Sequence, residues 1–241
     1  MQPKISVIIT AYNEEKLLPA CLESLKKQSY PKDLYEVIVV DNGSKDRTAT
    51  IAKKFGDKVY TYTELQGTGA SRVFGAQKAK GSILAFTDAD VTVPPDWLEK
   101  IATYMDTPGI VCISGRPESL RKHLGLQAIL LFYHFSLMFN HVIGKPLVWG
   151  FNMVVKREAY TAVGGIDKNL LSAEDWDLSF QLQKHFGTKS IRYIPDLFVY
   201  TSGRKETNLK TYIHYAFDGV QNYLNFVVLK KKKLKPLFNV R

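Results

Sequence analysis

The chain has 241 residues, 45% of them hydrophobic and 23% charged, with a formal net charge of +10. That balance excludes extensive disorder and fits one α/β domain large enough to bury a sizeable core. The positive charge points to anionic partners, namely nucleic acid, phosphorylated substrates or an anionic membrane surface, without choosing among them.

The opening MQPKISVIIT has a short, β-branched apolar part followed by polar and acidic residues. It reads as a core strand (4–10) rather than a signal peptide, and predicts a cytoplasmic protein. EEKLLPACLESLKKQ (14–28) has helical spacing through Leu17, Leu18, Cys21, Leu22 and Leu25. YEVIVVD (35–41) is a second strand, DRTATIAKKF (46–55) a helix with Ser44 as its cap, and KVYTYTE (58–64) a strand. GASRVFGAQKAK (69–80) is a helix with small residues on one face. SILAFTD (82–88), PDWLEKIATYM (95–105) and IVCISGR (110–116) read as strand, helix and strand. Cys21 falls in a helix and Cys112 in a strand, so both are expected as buried free thiols, and neither a CxxC pair nor zinc spacing occurs.

This alternation predicts a mostly parallel sheet covered on both faces. Ligands of such sheets gather outside the carboxyl ends of the strands. Three polar clusters fall there: TAYNEE, DNGSKDRT and DAD.

The pattern then changes. LGLQAILLFYHFSLMF (124–139) is apolar nearly all round, and is either a core helix or an interfacial helix at a membrane. PLVWGFNMVVKR (146–157) predicts strands around a turn, SAEDWDLSFQLQKHF a helix from 174 to 186, and SIRYIPDLFVY (190–200) a strand. NLKTYIHYAFDGVQNYLNFVVL (208–229) is aromatic-rich and helical, and lysines at 230–233 and 235 follow it. Those lysines form a solvated tail or meet anionic lipid. No stretch reaches the roughly 18 consecutive apolar residues of a membrane span. One domain is expected, with 1–117 a nucleotide-binding half, 118–206 an acceptor-side half, and 207–241 a C-terminal helix and basic tail.

Two common nucleotide signatures are absent. No GxxxxGK[ST] occurs, and GTGASR (67–72) has Arg72 where a dinucleotide fingerprint needs a third small residue. Asp88 and Asp90 are one residue apart, so both can reach one hard divalent cation, which would also hold a diphosphate; otherwise they mark a solvated strand end. Asp41, after four apolar residues, can accept from a ribose or base, or serve an Asx turn in DNGS. Ser172 and Asp175 have capping-box spacing, yet SAEDWD holds three acids within four residues, more than a cap needs. One of them can be a general base.

Together these stretches resemble the family 2 glycosyltransferases of GT-A fold over roughly residues 4 to 203. VIITAYNEE is similar to the family's first nucleotide-binding strand and turn, and VVDNGSKDRT to its second, with Asn42 where a second Asp is common. GASRVFGAQKAKG, FTDAD (the DXD motif) and GFNMVVKREAYTAVGGID followed by AEDWDL (the ED motif) complete the order. The resemblance implies an α/β GT-A fold with a mostly parallel central sheet flanked by helices. It implies that Thr10, Tyr12, Glu14, Asp41 and Arg72 line the nucleoside and diphosphate of a UDP- or GDP-sugar. Asp88 and Asp90 would serve Mg²⁺ or Mn²⁺, with Asp90 the more direct ligand, and Asp175 would be the base of an inverting displacement. A late histidine of many members is missing, and VYTSGRK (199–205) offers Thr201 and Ser202 there. The QxxRW motif of processive synthases is absent too, so one sugar is expected per encounter.

The expected partners are a nucleotide-sugar, an acceptor glycan or lipid-linked sugar and an anionic membrane surface, but no nucleic acid. The protein would be cytoplasmic, or peripheral at the inner face of the cell membrane. Two alternatives are a sugar-phosphate nucleotidyltransferase, whose Gly-rich early loop TAYNEEKLL lacks, and a non-catalytic membrane-binding module, which needs neither DAD nor ED.

Overall fold

A computed structural model describes residues 5–55, 58–119, 124–170, 172–202 and 221. The expected helix and basic tail at 207–241 therefore lie outside the described residues, apart from Gln221. Eight strands form one sheet: β1 (Ile5–Ala11), β2 (Tyr35–Asp41), β3 (Lys58–Thr61), β4 (Ile83–Asp88), β5 (Val91–Thr92), β6 (Cys112–Ser119), β7 (Asn152–Lys156) and β8 (Ile191–Thr201). Their order is β3-β2-β1-β4-β7-β6-β8-β5. The first four are mutually parallel, and β6 runs parallel to β8. β7 is antiparallel to both β4 and β6, and the short β5 is antiparallel to β8.

Alternation along the strands builds two cores. Val7, Ile9, Val37, Val39 and Ala85 face α1 (Leu18–Lys26), α2 (Thr48–Phe55) and α4 (Trp97–Met105). Ile8, Ile38, Val40, Leu84 and Phe86 face the other way, toward α3 (Thr68–Lys78), α6 (Arg157–Ala162) and α7 (Glu174–Phe186). Each fully buried aliphatic side chain contributes about 1.5–3 kcal/mol. The small residues of α3 let it approach the sheet, because a Cβ on Gly75 would lie 2.4 Å from Ile8 Cγ2. α5 (Leu124–Val142) leans on β6 and β8.

Two local expectations change. Helix α1 begins at Leu18, not residue 14, because the Glu14 carbonyl first accepts the Leu17 and Leu18 amides and Pro19 sits in the first turn. PLVWGFNMVVKR contains one strand, not two. The Val148 and Trp149 amides are taken by the Ser179 and Ser114 hydroxyls, at 3.0 and 3.3 Å, which leaves no ladder over 146–151. Cys21 and Cys112 are free and buried, as expected.

Candidate active site

The sheet register gathers the acids. Ala11 stands opposite Asp41 and Thr10 opposite Asp88, so β1, β2 and β4 end side by side. Beyond β1, Tyr12 is half-buried and Glu14 buried. The Asn13 and Glu14 amides donate to Ser44 Oγ and Thr48 Oγ1, at 2.9 and 2.7 Å, pinning the first polar turn to the second. Ser44 is thus used by Asn13 and does not cap α2. Asp46 takes that place, accepting the Thr48 amide at 2.9 Å.

Asp41 is 2% exposed, and its carboxylate oxygens accept the Ser44 amide at 3.3 and 3.4 Å, the Asx-turn arrangement. The neighbouring Asn42 does what an aspartate could not. Its amide nitrogen donates to the Tyr62 and Leu65 carbonyls at 2.6 and 3.2 Å, and its oxygen accepts the Gly67 amide at 2.9 Å. A carboxylate there would set two carbonyls against a negative charge, so Asn42 orders the loop that delivers α3.

Asp88 and Asp90 follow at the end of β4. The Ser202 hydroxyl and amide donate to the Asp90 carboxylate and carbonyl at 3.2 and 3.1 Å. The stretch where a histidine was expected therefore does reach Asp90, with a serine. Beneath them Cys21 donates to the Asp88 carbonyl at 3.7 Å. Burial raises its thiol pKa above the ordinary range, and the Asp90, Asp88 and Glu14 carboxylates raise it further. Carboxylate oxygen donors suit Mg²⁺ or Mn²⁺. Among the described residues no three His, Cys, Asp or Glu side chains cluster as a metal cage. The fit is therefore to a cation held by one or two carboxylates and completed by substrate phosphates.

Arg72 crosses the site. Its guanidinium is 4% exposed; Nη2 donates to Asp88 Oδ1 at 2.9 Å and Nη1 to Glu174 Oε1 at 2.8 Å. Gly150 makes this possible, since a Cβ there would lie 2.0 Å from Arg72 Nη1. The Gly150 amide turns the other way and donates to Asp175 Oδ2 at 2.7 Å. Asp175 Oδ1 accepts the Trp176 amide at 2.9 Å.

These bonds correct the capping-box reading of Ser172 and Asp175. The residue that starts α7 is Ala173, in the left-handed region at φ 59, with no side-chain cap. The acids of the first turn are instead inward: Glu174, Asp175 and Asp177 are all buried. Burial, then the Glu174 carboxylate, pushes the Asp175 pKa up to about 7, against the opposing pull of Arg72 and the two amides. That places its titration near neutrality, where a general base works best.

Thr10, Asp41, Asp88, Asp90, Arg72 and Asp175 thus form one connected edge, with Tyr12 and Glu14 on the adjoining turn. Sequence reading missed Gly150, the partnership of Glu174 with Arg72, and the role of Ser202. The only sequence signals were a glycine inside an apolar run, an extra acid, and a serine in a histidine's place.

The family model described as "Glycosyl transferase family 2" matches residues 6–164. The chain is 33% identical over 179 residues to the glycosyltransferase AglE of Haloferax volcanii, covering 72% of this chain and 59% of that protein. It is 35% identical over 217 residues to the poly(ribitol-phosphate) beta-N-acetylglucosaminyltransferase TarS of Staphylococcus aureus, covering 84% of this chain and 36% of TarS. Against three of its curated relatives the chain spans 58–59% of their length. Among solved structures, the mannosyltransferase PcManGT from Pyrobaculum calidifontis, in complex with GDP-Man and Mn²⁺, superposes with a TM-score of 0.75 at 21% identity over 99% of this chain and 67% of that one. TarS residues 1–349 with UDP-GlcNAc superposes at 0.69 and 23% identity, over 97% and 68%. These likenesses, and the family model over most of the chain, lead to one statement: the chain belongs to glycosyl transferase family 2 and has the GT-A fold.

Proposed function

We propose that this protein is an inverting, metal-dependent, non-processive glycosyltransferase that moves one sugar from a nucleoside-diphosphate sugar to an acceptor hydroxyl. The observation that carries the reading is the placement of Asp175, a buried carboxylate held by the Gly150 and Trp176 amides and linked through Glu174 and Arg72 to Asp88, where burial and Glu174 raise its pKa. A carboxylate poised near neutrality can take a proton from a hydroxyl as it attacks.

In this mechanism Asp175 accepts the acceptor's hydroxyl proton while that oxygen forms a bond to the anomeric carbon. The bond from that carbon to the diphosphate oxygen breaks, and its electron pair leaves on the nucleoside diphosphate. Attack from the face opposite the leaving group inverts the configuration. Asp90 and Asp88 would hold Mg²⁺ or Mn²⁺, which when bound neutralises charge on the leaving diphosphate. Thr10, Tyr12, Glu14 and Asp41 would line the nucleoside and diphosphate. Arg72 acts on the ligand mainly through Asp88, because its guanidinium is committed to two carboxylates.

The neighbours' contents, GDP-Man with Mn²⁺ and UDP-GlcNAc, make guanine and uracil donors the first to try. The nucleotidyltransferase and binding-module alternatives are not favoured, since the relatives described above carry glycosyltransferase names. A thermal-shift panel of UDP-, GDP- and TDP-sugars with and without Mn²⁺ tests the reading. Ligand that binds only the folded state raises the melting temperature. A rise with one donor class that requires Mn²⁺ is expected; no rise with any donor would sink the reading.

A further inference from the structure

Helix α5 has two apolar sides. Leu130 and Leu137 are buried, and His134 meets Tyr193 of β8 with ring centroids 5.6 Å apart. The opposite side is left in water: Leu131 is 53% exposed, Phe135 51%, Met138 40%, Phe139 60%, Val142 77%, and Ile143 just beyond 44%. On a helix of about 3.6 residues per turn, the first five fall within an arc of about 100°. A contiguous exposed apolar stripe of this kind marks an interaction surface.

The charge that flanks the stripe along the chain selects the partner. Between Glu118 and Glu158 the sequence holds no acidic residue, and basic residues flank α5 in sequence, Arg121 and Lys122 just before it and Lys145 just after. Lys145, directly after the stripe, is exposed, and the chain as a whole carries +10. A neutral apolar partner would have no use for basic residues at both ends of the stripe, whereas an anionic lipid surface matches stripe and charge together. Among the described residues no helix is long and apolar enough to cross a membrane, so contact would be interfacial.

We propose that the outward face of α5 docks on an anionic lipid bilayer, with its stripe in the boundary between headgroups and acyl chains. The geometry ties this face to the chemistry. From Val142 the chain runs through a short segment to Gly150, whose amide holds Asp175, and Trp149 packs edge-on against Trp176 at 5.4 Å and 89°. Resting on the transferase reading, this names the acceptor's class: a hydroxyl borne by a lipid and presented at the bilayer surface.

The test uses the full chain and flotation with vesicles of phosphatidylcholine alone or mixed with phosphatidylglycerol. Wild-type protein is expected to float with the anionic vesicles. The Phe135→Gln/Phe139→Gln/Val142→Gln variant, altered only at exposed positions, is expected to lose about tenfold or more of that binding. Its melting temperature and its donor-induced thermal shift should be unchanged. A polarity-sensitive dye on Phe139→Cys adds a local readout, because native Cys21 and Cys112 are 1% and 0% exposed and escape labelling. Its emission should be water-like in free protein and shift to the blue on anionic vesicles. Wild type that floats with neither vesicle, or a triple variant that floats as well as wild type, would overturn the proposal. So would a dye already shielded without lipid, which would put residues 203–241 or, if the species is dimeric, a second copy on the stripe. Failure of the transferase reading would look different: no donor shift in any variant, with flotation unaffected.

Discussion

Arg72 and Glu174 lie 102 positions apart in the chain and meet at 2.8 Å, joining α3 to the first turn of α7 across the site. Burial works against the guanidinium's charge, and the carboxylates of Asp88, Glu174 and Asp175 overcome it, so its pKa is held above the usual value. Removing one partner of a buried ion pair strands the other and costs about 3–5 kcal/mol. Arg72→Met is therefore expected to lower the melting temperature and to raise the Asp175 pKa further, since Arg72 now pulls it down. The acid limb of the pH–rate profile should move to higher pH. An unmoved limb in a destabilised variant would make Arg72 structural only.

Asp175 must be ionised to act as base, so the rate is expected to climb as pH rises through about 7. Asp175→Asn should lose about 10²–10⁴ in rate and flatten that limb, with donor affinity nearly unchanged. The stability sign runs the other way. A carboxyl raised from 3.8 to about 7 in the folded state favours folding fully below 3.8, and that contribution is lost as pH rises to about 7. Initial rates and melting curves from pH 5 to 9 read both effects.

Asp90→Ala should abolish turnover and weaken donor binding while the melting temperature of the free protein barely moves, because the residue stands on a half-exposed turn. EDTA should reproduce the loss, and added Mn²⁺ should restore wild type but not the variant. Full turnover in EDTA would remove the metal from the account.

Glu36 provides a stability control at the opposite end of β2, roughly 17 Å from Asp41 along the strand. Against burial, bonds from Lys58, Ser6 and the Lys80 amide hold its pKa down at about 2. The depressed value stabilises the fold above pH 4.5, and that contribution is lost as pH falls toward about 2. Glu36→Gln is expected to cost on the order of 2 kcal/mol at neutral pH, with kcat per folded molecule unchanged. In urea melts the variant's deficit relative to wild type should be smaller at pH 3 than at pH 7.

The first half of the chain was legible because its signals are local. Short continuous apolar runs lead into Asp41 and Asp88, and a parallel sheet must bring such ends together. The second half was less legible because its contacts are long-range. Capping-box spacing at Ser172 and Asp175 is a local pattern, yet Asp175 turns to the Gly150 amide, 25 positions away. Residues 146–151 looked strand-like, yet their amides serve Ser179, Ser114 and Asp175. Ser202 reads as a lost ligand until its bond to Asp90 is seen, 112 positions back.

The central claim is that a nucleotide-sugar is cleaved at its anomeric bond with Asp175 as base. Mass-spectrometric identification of the product formed from GDP-mannose and UDP-N-acetylglucosamine with Mn²⁺, by wild type and by Asp175→Asn, tests it most directly. Metal-dependent release of GDP or UDP by wild type, slowed about 10²-fold or more in the variant, is the expected result. Equal release by both proteins, or formation of a nucleotide-sugar with pyrophosphate from a nucleoside triphosphate and a sugar phosphate, would contradict it.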